Sequence, residues 1–192
     1  MIASKDRSYY IGASDTKYVV GNWDTLSFRR WYGVKLGIYT MDYTSDAMKA
    51  GTAYEHRILD ALRITGLEKD RQIIKGRLRV NLDGNTGDTI IEVKTYRAGK
   101  PFKVSYVYRE QVWVEMYATG IRRAYIVSYA LEGKDYNNYY RDIDLERISW
   151  HPIWYNEQFI KDTYLPRFNY LSLCLDRGIL PKEGGWEDVR DG

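Results

Sequence analysis

Arg77 to Arg97 reads RLRVNLDGNTGDTIIEVKTYR, and this stretch decides what the chain can fold into. RLRVNLDG (77–84) alternates polar and apolar residues, and TIIEVKTY (89–96) is short and β-branched; both are strand patterns. GNTGD (84–88) between them is turn chemistry, so the pair reads as a hairpin. Glu92 and Lys94 are two apart on the second strand, and their side chains leave the same face. Asp83 lies across the turn. With about two residues at the tip, Asp83 pairs opposite Ile90 and is a diagonal neighbour of Glu92, at about 7–8 Å between backbones. A loop of about four residues would put Asp83 opposite Asp88 instead, too far from Glu92 unless a bulge intervenes.

Two carboxylates that reach inward together can share one cation, with bonds of about 2 Å. A divalent ion there would neutralise charge on a scissile phosphate and lower the pKa of water, while a nearby lysine orients that water or stabilises developing charge. The rest of the chain restricts the choice of metal. Cys174 is the only cysteine, and His56 and His151 are the only histidines, which excludes an internal disulfide, a cysteine-rich zinc site and a single-chain iron–sulfur cluster. There is no GxxxxGK[ST] loop, HExxH helix or GxSxG elbow. Metal chemistry would therefore run on oxygen, with magnesium as the cofactor and manganese as a substitute. The chain also carries a control. Glu132-Gly133-Lys134 repeats the ExK spacing in a polar stretch without a suitable aspartate just upstream, and reads as a solvated loop.

Working outward, Ser14 can cap a short helix to Val20, and Thr25 one that stops near Gly37. Ser45 can cap a third, from Asp46 to about Thr65, with Gly66 just beyond. On that third helix Ala47, Met48, Gly51, Tyr54, Ile58, Leu59 and Leu62 make one apolar arc. Glu55 projects from the middle of it. A carboxylate there is costly unless it meets a cation or a hydrogen bond; a buried arginine partner is the plainer alternative. Gly51, one turn earlier, leaves room for close approach. His56 falls on the opposite, solvent-facing side and is not expected to be a ligand. Downstream, Ser105 to Thr119 is apolar almost all round and reads as a helix buried on both sides. RRAYIVSYAL (122–131) and NYYRDIDL (138–145) read as strands, and a last amphipathic helix runs from about Trp154 to Arg177, kinked at Pro166. The expectation is a single α/β (α+β) domain over 1–192, a mixed sheet with helices on both sides.

Length agrees: 192 residues suit one domain, and 44% hydrophobic with 29% charged residues is globular composition. No apolar run approaches the ~20 residues of a membrane span. MIASKDRSYY has no apolar stretch after its charges, so no secretory leader is expected and the cytoplasm is the default. Net charge is only +3, but five basic residues (Lys94, Arg97, Lys100, Lys103, Arg109) and no acid lie between 94 and 109. Tyr96, Phe102, Tyr106 and Tyr108 are interleaved with them. Cations for phosphates mixed with rings for stacking suit a nucleic-acid groove, against the plainer reading of a solvated basic loop.

Taken in order, these motifs resemble the phage lambda exonuclease-like recombination nucleases of the PD-(D/E)xK superfamily. That family has an R-x6-S entry into the first helix (here Arg7 and Ser14 in RSYYIGAS), then a G-x3-E helix (Gly51, Glu55). An aspartate-glycine follows (Asp83-Gly84) before an ExK strand (Glu92-Val93-Lys94). Last comes a QxQxxM helix ending in Thr-Gly, here QVWVEMYATG, with Trp113 in place of the second glutamine. The resemblance implies a restriction-endonuclease-like core with Asp83, Glu92 and the Val93 carbonyl as metal ligands. It implies that Glu55 holds a metal or its water, that Lys94 is catalytic, and that Gln111 contacts the site or the DNA. Arg7 and Ser14 would bind the terminal 5′-phosphate; Arg97, Lys100 and Lys103 are expected on the DNA from the basic stretch itself. The resemblance further implies 5′→3′ degradation of linear duplex DNA to leave 3′ overhangs for recombination, a ring-shaped homotrimer, and an accompanying single-strand annealing protein. The competing readings are a site-specific endonuclease of the same superfamily and a DNA-binding protein with a vestigial site. The presence of Glu55, Asp83, Glu92 and Lys94 together argues against the last.

Overall fold

The structure is a computed structural model that describes residues 8–40 and 45–187. The chain divides into two compact units: one from the described residues of Met1–Asp42, Ile73–Val80 and Asn156–Gly192, the other from those of Tyr43–Gln72 and Asn81–Tyr155.

In the first unit β1 (Ile11–Gly12) pairs parallel with the start of β3 (Leu78–Asn85), Ile11 against Leu78. A 3-10 turn over Ala13–Asp15 leads into α1 (Thr16–Val19). Ser14 is therefore inside the turn and not a helix cap. The Asp15 carboxylate accepts the Gly12 N–H at 2.9 Å, which tightens the chain into a turn where a longer helix was expected. α2 (Leu26–Lys35) is capped as expected, Thr25 Oγ1 accepting from Phe28 N–H at 3.2 Å. Trp23, Phe28, Trp31, Tyr32 and Trp186 form an aromatic core, and Phe168 stacks on Tyr164. The last helix does not start at Trp154. A π-helical turn over Phe159–Tyr164 runs into α5 (Leu165–Arg177). Pro166 explains the wide turn, because it lacks the N–H for the carbonyl four residues back and its ring crowds that carbonyl.

The second unit carries the expected hairpin and its helices. α3 (Asp46–Ala61) begins at Ser45, whose Oγ accepts from Met48 N–H at 3.2 Å. It ends about one turn before Thr65. Ala50, Tyr54, Ile58 and Leu59 are its buried residues, whereas Met48 is exposed. β2 (Glu68–Lys75), unforeseen because it is mostly polar and lacks an alternating pattern, pairs with β3. β3 runs antiparallel to β4 (Thr89–Arg97), β4 parallel to β5 (Arg123–Leu131), and β5 antiparallel to β6 (Ile148–Trp154). The sheet is mixed, as expected. α4 (Tyr106–Thr119), started by Ser105 and closed by Gly120 at φ +79°, is buried on nearly every side. α3 packs on Ile91, Val93, Val127, Tyr129 and Leu131, one face of the sheet. The alternate residues Glu92 and Lys94 face α4 instead, so the sheet lies between two helical layers.

NYYRDIDL is not a strand. Carbonyls in it and just before it are used by α3: the Tyr54 hydroxyl donates to those of Asp135 and Asn138 at 3.2 and 3.0 Å, and the Arg57 guanidinium to those of Tyr139 and Arg141. The strand that follows β5 is β6, further on. Among the described residues no helix is long and apolar enough to cross a membrane.

Candidate active site

The hairpin decides how the acids meet. β3 and β4 pair Asn85 with Ile90 and Gly84 with Ile91. Neither expected register holds. Asn85 stays in the strand, and the turn closes later, Thr86 N–H donating to the Thr89 carbonyl at 2.8 Å. The Asp88 carboxylate secures it by accepting the hydroxyls of Thr86 and Thr89 at 3.1 and 2.9 Å. Asp83 is then next in line beside Glu92, closer than the diagonal placement expected. Here the carboxylate replaces the backbone ladder: Asp83 Oδ2 accepts the Val93 N–H at 2.8 Å.

Glu92 is only 2% exposed. Its Oε1 accepts from Lys94 Nζ and from Gln111 Nε2, both at 2.6 Å. Its Oε2 is buried and has no donor among the described residues. Lys94 also donates to Gln111 Oε1 at 3.2 Å and lies 5.1 Å from the centre of the Tyr108 ring. Gln111 Nε2 reaches on to Glu115 Oε1 at 2.9 Å. From the other helical layer Glu55 lies close enough to Asp83 and Glu92 for each to act on its charge. Glu55, His56 and Asp70 each bring a ligand atom within 4.8 Å of the others, and His56 Nε2 is 3.0 Å from Asp70 Oδ1.

The electrostatics follow from crowding acids away from water. Burial, then the charges of Glu92 and Glu55, push the Asp83 carboxyl well above the usual carboxylate range, against the Val93 N–H. Glu55 is raised by burial and then by Glu92. Burial by itself would lower Lys94, but the charge and hydrogen bond of Glu92 overrule it and hold the ammonium above its ordinary value. A group of oxygens that repel one another, one of them buried without a donor, is what a hard divalent cation would relieve. The donor set fits magnesium or manganese.

The structure thus brings together Glu55, Asp83, Glu92, Val93, Lys94 and Gln111. Arg97 ends β4, and Lys100 and Lys103 are exposed in the segment that follows. In that segment Phe102 lies 5.1 Å from Tyr96 and stacks on Tyr108 at 6.2 Å, so part of the aromatic series packs on itself. Ser14 is exposed and belongs to the first unit. Arg7 lies outside the described residues. Two groups escaped sequence reasoning. His56 is exposed as expected, yet Asp70 from the unforeseen β2 places it in the Glu55 group. Glu115 was visible as an acid among the apolar residues of a helix, one turn after Gln111, and that was the available signal.

No protein-family model matches the chain. No curated protein matches it either. Solved structures do. An alkaline exonuclease from Laribacter hongkongensis is similar at 18% identity and a TM-score of 0.64, over 97% of this chain and 94% of that one. The same exonuclease in complex with dAMP is similar at 18% identity and a TM-score of 0.63, over 98% and 94%. A phage-related exonuclease from Haemophilus somnus is similar at 15% identity and a TM-score of 0.67, over 90% and 97%. The chain therefore shares its fold with solved alkaline and phage-related exonucleases, the fold its series of motifs implies.

Proposed function

We infer that the chain is a divalent-metal-dependent DNA exonuclease that degrades linear duplex DNA 5′→3′ and leaves 3′ overhangs for phage-type recombination in a host cytoplasm. The observation that carries this reading is the meeting of Glu55, Asp83 and Glu92 next to Lys94, with Glu92 Oε2 lacking any donor. Asp83, Glu92, the Val93 carbonyl and Glu55 would hold the ion. Bound there, Mg2+ or Mn2+ supplies charge neutralisation at the scissile phosphate and lowers the pKa of attacking water.

The chain's own residues supply the rest. Lys94, kept protonated by its partners, is a cation and donor for charge that develops on the phosphate, not a proton acceptor. Gln111 holds Lys94 and Glu92 in fixed relation. Arg97, Lys100 and Lys103 bind the DNA backbone, and Arg7 and Ser14 take the 5′-phosphate. A homotrimer around the duplex and a single-strand annealing partner complete the proposal.

The test uses end-labelled linear duplex and a covalently closed circle, with magnesium or a chelator. The linear DNA should be consumed from its 5′ ends, the circle spared, and chelation or Glu92→Gln should stop the reaction. Cutting of the circle at fixed positions would favour an endonuclease, and metal-independent digestion would reject the site.

A further inference from the structure

Gln111 and Glu115 stand one turn apart on α4 and form an arm that reaches the β4 pair from behind. Gln111 Nε2 donates to Glu92 Oε1 at 2.6 Å and to Glu115 Oε1 at 2.9 Å, while Gln111 Oε1 accepts from Lys94 Nζ at 3.2 Å. Only this orientation of the amide suits its surroundings, the donor end toward two carboxylates and the acceptor end toward an ammonium. The arrangement also divides the labour of Glu92: Oε1 is fully engaged and Oε2 is left bare.

Glu115 is 0% exposed, and its Oε2 has no donor among the described residues. The group next to it is the Glu92 side chain, another acid. Burying a carboxyl under those conditions costs stability, and a single N–H from Gln111 does not offset it. Packing would be served by an apolar side chain, as at Val112, Val114 and Met116 on the same helix. Residues kept at a cost to stability belong to function more often than to the fold.

We propose that Glu115 is a positioning residue: it fixes the Gln111 amide, and through it the Lys94 ammonium and the free oxygen of Glu92. The inference rests on the reading of the site as a nuclease centre. Its test compares Glu115→Met, Glu115→Gln, Gln111→Leu and the Gln111→Leu/Glu115→Met double variant. Three quantities are read: metal-free melting temperature, the side-chain amide resonances of Gln111, and kcat and KM on linear duplex. Glu115→Met should melt no lower than the parent protein, move the Gln111 resonances, and lose roughly 10- to 100-fold in kcat with KM within about twofold. Glu115→Gln keeps an oxygen acceptor and should recover most of the rate. The double variant should be no slower than Gln111→Leu alone.

Full kcat in Glu115→Met overturns the proposal, and so does a loss that tracks a lower melting temperature. Equal damage in Glu115→Gln and Glu115→Met also overturns it, because charge and not hydrogen-bond acceptance would then matter. If the parent protein cleaves no DNA, the nuclease reading fails. The Gln111 resonances then still decide the positioning role, since resonances unmoved by Glu115→Met reject it.

Discussion

Asp83 shows what a site of this kind costs a single residue. Its carboxyl accepts one backbone N–H, yet burial and two neighbouring acids hold its pKa well above the usual carboxylate range. A folded-state pKa above the unfolded value means that the folded protein binds the proton more tightly. The associated stability is present below about pH 4 and is lost as pH rises through the raised folded pKa. An asparagine in its place would still accept from the Val93 N–H and never ionises. Metal-free Asp83→Asn should therefore match the parent protein in melting temperature near pH 4 and exceed it increasingly at higher pH. A tenfold difference in proton affinity between the folded and unfolded chain is about 1.4 kcal/mol, or roughly 2–6 °C for a chain of this size. Magnesium should raise the parent's melting temperature and not the variant's, and the variant should lack nuclease activity. Melting curves from pH 4 to 8 with and without magnesium check this; a gap between the two proteins that stays constant with pH would contradict it.

Elements were legible where local chemistry and packing agree. Ser45, Thr25 and Ser105 cap the helices they were expected to start, because a side-chain oxygen before an apolar run has one good use. β4 was legible because both its faces are buried and its composition is β-branched. Register was not, since it depends on whether Asn85 turns or continues, and the hydroxyl bonds to Asp88 settle that only once the turn exists. β6 was hidden by Pro152, which argues against a strand unless the strand ends the sheet, as β6 does. Gly84 illustrates a packing demand that sequence alone could not show: a Cβ there would meet Leu59 Cδ2 at 3.0 Å and Leu67 Cδ1 at 3.1 Å. Gly84→Val should lower stability by about 1–3 kcal/mol, measured by urea unfolding. Tyr54→Phe would leave the Asp135 and Asn138 carbonyls short of a donor and should cost about 1–2 kcal/mol in the same assay. A neutral Tyr54→Phe would mean that the Arg57 bonds and the packing of Tyr136, Tyr139 and Ile143 hold the segment without that hydroxyl.

For the whole chain, net charge says little and placement says more. A formal charge of +3 gives no general pull on DNA, but Arg97, Lys100 and Lys103 are exposed on the segment that leaves the strand bearing Glu92 and Lys94. The composition made that cluster visible in the sequence; what it left open was whether its aromatic rings stack on bases. Phe102 packs instead between Tyr96, Tyr108 and His151, so these rings serve first to hold the segment, and on the proposed reading phosphate contact would fall to the cations. Phosphate contacts release counterions, and each one removed should reduce the slope of log K against log salt by about 0.9 on duplex DNA. With magnesium replaced by calcium to hold cleavage down, replacing all three cations by alanine should flatten that slope by roughly 2–3 and weaken binding to every sequence alike. Anisotropy titrations from low to moderate salt measure both quantities. A slope that does not move would show these cations to be solvated and the DNA path to lie elsewhere. A loss confined to particular sequences would instead assign them to base edges.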